Sequence, residues 1–194
     1  MKRKLPQIEF NAPVIVWFTI ISFVALLFGY ATGGNSTSMI FTCYRTGLLD
    51  PLMYVRMFTY VIGHADVTHF VNNFTTIILI GPMLEEKYGS KRLLGMMAVT
   101  AFVGGLVNVV FTNHGLVGAS GIVFMFIILC SWTSVASGKI PLTMIFVVCI
   151  YIGQEILTGL TVQDNVSHLT HILGGVCGIV YGMYYNQHKI TKIS

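Results

Sequence analysis

Six long runs of this chain are almost uninterrupted apolar sequence: 13–33, 69–84, 93–112, 121–135, 140–157 and 166–185. A helix crossing the hydrocarbon core of a bilayer needs about 20 apolar residues, and a soluble domain carries roughly 25% charged ones. Here only 9% of the 194 residues are charged, 55% are hydrophobic, and the mean hydropathy is +0.78. That is too little charge to cover a soluble surface. The reading is an all-α integral membrane protein, a bundle of six transmembrane helices packed in the lipid bilayer. Residues 13–186 form its one domain, between cytoplasmic tails at 1–12 and 187–194. The first run is too long for a secretory leader, lacks a convincing cleavage site, and reads as a retained span.

The basic residues orient the bundle. With the N-terminus inside, the inner segments hold Lys2, Arg3, Lys4, Lys87, Lys91, Arg92, Lys139, Lys189 and Lys192, while the outer ones hold Arg45 and Arg56. This is the positive-inside bias of a plasma-membrane protein with both termini cytoplasmic. The net charge of +4 is therefore explained by topology, and no nucleic-acid partner is implied. The long loop at about 34–68 lies outside and is the stretch with room for structure of its own. The four cysteines, Cys43, Cys130, Cys149 and Cys177, contain no C-x-x-C pair and imply neither disulfide nor metal.

Polar side chains inside a membrane are costly and usually functional. His69 and Asn73 open the second span, Ser120 the fourth, and His168 and His171 the sixth. In the deduced topology all three helices begin on the outer side, so the polar groups converge at similar depth. Ser120 follows Gly115 and Gly118 and precedes Gly121, a run that permits tight turning and close approach. The same glycines also suit plain helix packing, and Ser is a common N-cap. The helix after Ser120 is about 15 residues, or roughly 22 Å, short of the ~30 Å core, so Ser120 is expected below the outer surface. Its position at a helix N-terminus offers unpaired N–H groups to a developing oxyanion.

A serine hydroxyl needs a base. The candidates are His69, His168 and His171. His171 shares a helix face with Gly174 and Gly178, which lets a second helix come close beside it. The bland alternative is a histidine hydrogen-bonded for stability; the glycine face and the Ser120 partner favour the base. His69 and Asn73, spaced i, i+4, either donate to an oxyanion or bond neighbouring helices, and their spacing fits both.

Together these segments resemble the rhomboid family of intramembrane proteases. The resemblance rests on His64-Ala-Asp-Val-Thr-His69-Phe-Val-Asn-Asn73 as H-x4-H-x3-N, and on Gly81-Pro-Met-Leu-Glu85-Glu-Lys-Tyr-Gly89 as a G-x3-E-x3-G turn between the second and third helices. Gly118-Ala-Ser120-Gly121 matches G-x-S-G, and His171-Ile-Leu-Gly174-Gly-Val-Cys-Gly178 matches H-x2-G-x3-G. The resemblance implies a minimal six-span prokaryotic form. Ser120 is then the nucleophile and His171 the general base of a dyad without a carboxylate. His69, Asn73 and the Ser120 backbone N–H form the oxyanion site, and Phe124 packs on the base. The activity implied is hydrolysis of peptide bonds in or beside transmembrane segments of membrane-protein substrates, with no cofactor. Val55 stands before Arg56 where the family often has Trp, Phe124 lacks the hydroxyl of a frequent Tyr, and Asp66 adds an acid nearby.

Rival classes explain less. A transporter or channel using the histidines as an ion path leaves Gly-Ala-Ser-Gly unexplained and expects acidic residues in the spans, where Glu155 is the sole candidate. An inactive, client-binding rhomboid relative usually lacks the Ser or the His. A zinc protease is disfavoured because H-E-x-x-H is missing, and a metal cluster of His64, His69, His168 and His171 is the weakest reading.

Overall fold

The structure, a computed structural model, describes residues 10–132, 140–161 and 168–190. Among these are eight helices: α1 (Pro13–Ala31), α2 (Asn35–Ile40), α3 (Pro51–Thr59), α4 (Val67–Tyr88), α5 (Ser90–Phe111), α6 (Ser120–Ser131), α7 (Leu142–Thr161) and α8 (His168–Ile190). The described residues hold no strand, only an isolated antiparallel bridge between Cys43 and Leu116. The chain is an all-α membrane bundle. α1, α4 and α5 are long and apolar enough to cross a bilayer, and α6 and the first part of α7 are shorter apolar helices. The expected end of the fourth run at Val135, the start of the sixth at Val166, and residues 1–9 and 191–194 of the tails lie outside the described residues, while α8 continues to Ile190, into the expected C-terminal tail.

α6 sits at the centre, with Met125, Phe126, Ile128 and Leu129 fully buried. Its main partner is α8, and α4, α5 and α7 complete its surroundings. An apolar helix without a polar face has to be enclosed on all sides or face lipid, and α6 is enclosed. The outward faces of α1, α4 and α5 instead expose Trp17, Phe23, Leu79 and Val99, as lipid-facing helices do.

The long first loop is structured. Asp50 caps α3 by accepting from the Leu52 N–H at 3.0 Å, and Pro51 supplies the preset φ of a first helical residue. The Asp50 carboxylate also accepts from the Thr46 hydroxyl at 2.8 Å and pairs with Arg56 at 3.4 Å. Arg56, only 5% exposed, donates to the Met39 carbonyl at 2.7 Å and lies over the Tyr44 ring at 4.5 Å. Arg45 donates to the Val109 and Val110 carbonyls at the C-terminus of α5, where a cation suits the helix dipole.

Several boundaries shift by a few residues from the sequence reading, and those of α4 bear on the site. α4 starts two residues before the expected 69 because Asp66 accepts from the His69 N–H at 2.8 Å and caps it. The acid noted near the site is therefore the N-cap of the helix that carries His69 and Asn73. At its other end α4 continues through Pro82 to Tyr88, so Gly81 and Glu85 are helical and not part of a turn. Gly89, at φ +81°, makes the turn by itself.

Glu85 faces inward because α1 needs it. Ala12, before Pro13, gives α1 no side-chain cap. The Glu85 carboxylate, 3% exposed, accepts from Val14 N–H at 3.0 Å, Ile15 N–H at 3.1 Å and the Ser90 hydroxyl at 2.7 Å. A remote carboxylate thus satisfies the start of α1 and locks α1, α4 and α5 together at one end. Glu85→Ala is expected to lower unfolding stability in mild detergent by about 2–4 kcal/mol, since several charge-assisted bonds go at once, with Glu85→Gln in between. Equal stability of all three proteins would refute this role.

His64 is packed just before α4, 1% exposed, with Nδ1 3.2 Å from the Ile62 carbonyl and Nε2 buried without a partner. The rings of His69, Phe70 and Phe74 surround it at 5.1–5.5 Å. Burial foremost, and the neighbouring His69 second, push its pKa from 6.5 down to about 4. The unfolded chain therefore takes up this proton at higher pH than the folded one. Stability present above pH 6.5 is lost progressively as the pH falls towards about 4. His64→Phe, which keeps the aromatic packing, should flatten that acid limb in thermal melts; an unchanged slope would show that another group dominates it.

Candidate active site

Ser120 is the first residue of α6, so its N–H has no acceptor within the helix. The backbone leading to it is tied down at three places. Cys43 and Leu116 exchange both N–H···O bonds at 2.8 Å. Asn108, buried in α5, donates through Nδ2 to the carbonyls of Cys43 and His114, each at 3.0 Å. Gly118 N–H donates to the Tyr60 carbonyl at 2.9 Å. Gly118 adopts φ +113°, a conformation that side chains resist, and then the chain turns into α6.

His171 lies in the first turn of α8, and its Nε2 stands 2.7 Å from Ser120 Oγ. The serine O–H donates to Nε2 when the neutral ring carries its proton on Nδ1. The approach of the two helices depends on glycine. A side chain at position 174 would collide with the Gly121 carbonyl oxygen, and a Cβ at 178 would stand 2.7 Å from the Met125 carbonyl oxygen. Gly121 in turn accepts the Thr170 methyl, which a Cβ there would meet at 3.2 Å. The His171 ring is 9% exposed and stacks on Phe124, centroids 4.6 Å apart and planes 7° from parallel. Tyr151 of α7 meets the Phe124 ring edge-on, with centroids 5.9 Å apart.

His69 and Asn73, on one face of α4, converge on Gly118. A Cβ there would lie 2.5 Å from His69 Cε1 and Nε2 and 3.5 Å from Asn73 Nδ2. Asn73 is 6% exposed, and its buried Nδ2 has no hydrogen-bond partner. An orphaned amide beside an imidazole and a helix N-terminus is an unusual expense in a membrane protein and leaves donors free for an oxygen atom that arrives from outside. His168 stands edge-on to His171 with ring centroids 6.3 Å apart. Among the described residues no group of His, Cys, Asp and Glu is arranged to hold a metal ion, and the four cysteines are free.

The structure thus brings together Ser120, His171, Phe124, Gly118, Gly121, Gly174 and Gly178, with His69 and Asn73 on the facing helix. Sequence reasoning did not single out Asn108, Tyr60 or the Gly104–Gly105 pair, on which α3 and Tyr60 rest. The Gly-Gly dipeptide within an apolar helix was the available signal; a lone Asn in a span was the other. The Glu155 side chain, relevant to a transporter, lies outside the described residues.

Known proteins are similar to this sequence over most of its length. A family model described as the Rhomboid domain matches residues 51–188. RHOMBOID-like protein 1 of Arabidopsis thaliana is 33% identical over 169 residues, covering 76% of this chain and 42% of the relative. Rhomboid protease GluP of Bacillus subtilis (strain 168) is 23% identical over 181 residues, 90% of this chain and 36% of GluP. Rhomboid-like protease 3 of Toxoplasma gondii is 26% identical over 183 residues, 89% of this chain and 69% of that protein. The chain spans well under half the length of the first two. With a domain match over most of its length on an all-helical membrane bundle, the chain belongs to the rhomboid family.

Proposed function

We propose that this protein is an intramembrane serine endopeptidase in which Ser120 is the nucleophile and His171 the general base. The observation that carries the reading is the 2.7 Å contact between Ser120 Oγ and His171 Nε2. Membership of a family that includes the Rhomboid protease GluP supports it. In this mechanism His171 takes the Ser120 proton as Oγ attacks the scissile carbonyl. The negative oxygen of the tetrahedral intermediate receives hydrogen bonds from Asn73 Nδ2, His69 and the Ser120 N–H. His171 then protonates the leaving amine, and water hydrolyses the acyl-enzyme by the reverse proton path. No carboxylate need stand behind the base. The imidazolium that forms lies flat on the Phe124 ring, a cation over a π-face.

The substrates are membrane proteins cut in or beside a transmembrane segment. The full topology is six spans with the basic tails on one side and Ser120 towards the other. α6, at 12 residues, is about 18 Å long, well short of the ~30 Å core, so its N-terminus is reached from below one membrane surface. A peptide must be locally unwound to expose its carbonyl there, which favours helix-weakening residues near the cut. Cleavage is expected in the outer third of a substrate span. Mass spectrometry of products from a single-span substrate in oriented liposomes tests this, and a cut on the side of the basic tails would overturn the topology.

Labelling by a fluorophosphonate, abolished by Ser120→Ala, separates this reading from a transporter or a client-binding relative. Ser120→Ala and His171→Ala should each abolish proteolysis in folded protein, and the double variant should lose no more, because the pair acts as a unit. Substantial activity in either single variant would refute the dyad, and His168→Ala should retain more activity than His171→Ala. Asn73→Ala should lower kcat by roughly 10- to 1000-fold, the usual range for a transition-state donor. A rise in KM alone would move Asn73 to substrate binding. Gly118→Ala should be at least as damaging, because its Cβ would enter the space between His69 and Asn73 and its φ is strained.

A further inference from the structure

An apolar groove of about 470 Å³ lies on the lipid-facing side between α1 and α5, with Ile122 of α6 also lining it. α1 contributes Trp17, Phe18 and Ile21 to it, and α5 contributes Leu94, Met97 and Ala98. Phe58, Val61 and Ile62, at and just beyond the end of α3, close one end, while Pro13 and Ser90, the first residues of α1 and α5, mark the other. The cause is the way α3 is seated. It lies on α5 at Gly104–Gly105, where a Cβ on Gly105 would stand 2.7 Å from Met57 Cα. α3 therefore covers α5 beyond Ala101, and the part of α5 from Ser90 to Ala101 lines the groove.

The depth of that groove matches one leaflet. From Ser90 to Ala101 the helix rises roughly 16 Å, about half of the ~30 Å hydrocarbon core. Its mouth is basic. Lys91 is exposed in the first turn of α5 and, spaced i, i+3, i+7 with Leu94 and Ala98, flanks the groove-lining face. Lys87 and Arg92 stand nearby on the same end of the bundle, each over a tyrosine ring, and Glu86 is the one exposed acid beside them among the described residues. Glu85 is already engaged with α1 and Ser90. We propose that this groove is a lipid site that holds one acyl chain of an anionic phospholipid in the leaflet on the Lys91 side, with its phosphate at Lys91. The apolar wall supplies chain contact, and Lys91 supplies the preference for an acidic headgroup. The site is independent of the proposed proteolysis.

The test is native mass spectrometry of the full chain, released from detergent after exposure to equimolar phosphatidylglycerol and phosphatidylcholine. One retained phosphatidylglycerol per protein is expected, favoured about fivefold over phosphatidylcholine for a single basic contact. Lys91→Glu should remove the preference, and Ala98→Phe, at an exposed position, should remove the retained lipid by filling the groove. A second measurement uses a Trp132→Phe protein, in which Trp17 is the remaining tryptophan. In phosphatidylcholine liposomes, a small fraction of brominated phosphatidylglycerol should quench Trp17 more than the same fraction of brominated phosphatidylcholine, and Lys91→Glu should abolish the excess. Equal retention and quenching by the two lipids would overturn the proposal. So would a groove filled by a second copy of the chain, seen as a dimer lost in Ala98→Phe.

Discussion

The close approach of α6 and α8 is the constraint on which the rest of the arrangement depends. Two helices that carry side chains at their contact pack 8–10 Å apart, whereas glycine at this contact lets the two backbones meet directly. Gly174 and Gly178 remove the side chains on one surface, so the Gly121 and Met125 carbonyls of α6 come directly against α8. In a bilayer there is no hydrophobic gain from joining two apolar helices, and close van der Waals contact has to supply the association. The same small residues thus hold the bundle together and set the 2.7 Å separation of Ser120 Oγ and His171 Nε2.

The second requirement is a rigid floor under Ser120. It comes from outside α6. The loop before it is bonded to Cys43, Asn108 and Tyr60, residues of the first loop, of α5 and of the segment after α3. The first loop is therefore a structural member and not merely a connection. Its capped helix α3, the Asp50–Arg56 pair and the seating on Gly104–Gly105 fix Tyr60, whose carbonyl holds Gly118. A site assembled from donors on α4, a nucleophile on α6 and an imidazole on α8 requires that all three helix starts stay at the same depth. Asp66 at α4 and Glu85 at the opposite end, holding α1, contribute to that.

The division of the surface follows from the same packing. α6 is enclosed because it carries no polar face, and the helices around it turn their remaining apolar residues to lipid. α3 covers α5 at Gly104–Gly105, and the stretch of α5 before it lines a slot beside α1.

Much of this was legible in the sequence. Runs of apolar residues with few charges fix an all-α membrane fold, because only helices and closed barrels satisfy the backbone in lipid and these runs are of helical length. The polar residues that open three of the runs, and the i, i+3, i+7 spacing of His171, Gly174 and Gly178, marked the elements that meet. Helical periodicity assigns a face but not a partner. Only the tertiary structure decided that Gly174 meets Gly121, that Gly118 faces both His69 and Asn73, and that the Asn73 amide is left without a partner. It also decided that Glu85, read as part of a turn, lies in α4 and caps α1 some seventy residues earlier in the chain. Such contacts join residues far apart in sequence through the packing angle of whole helices, and no local pattern of residues encodes that angle.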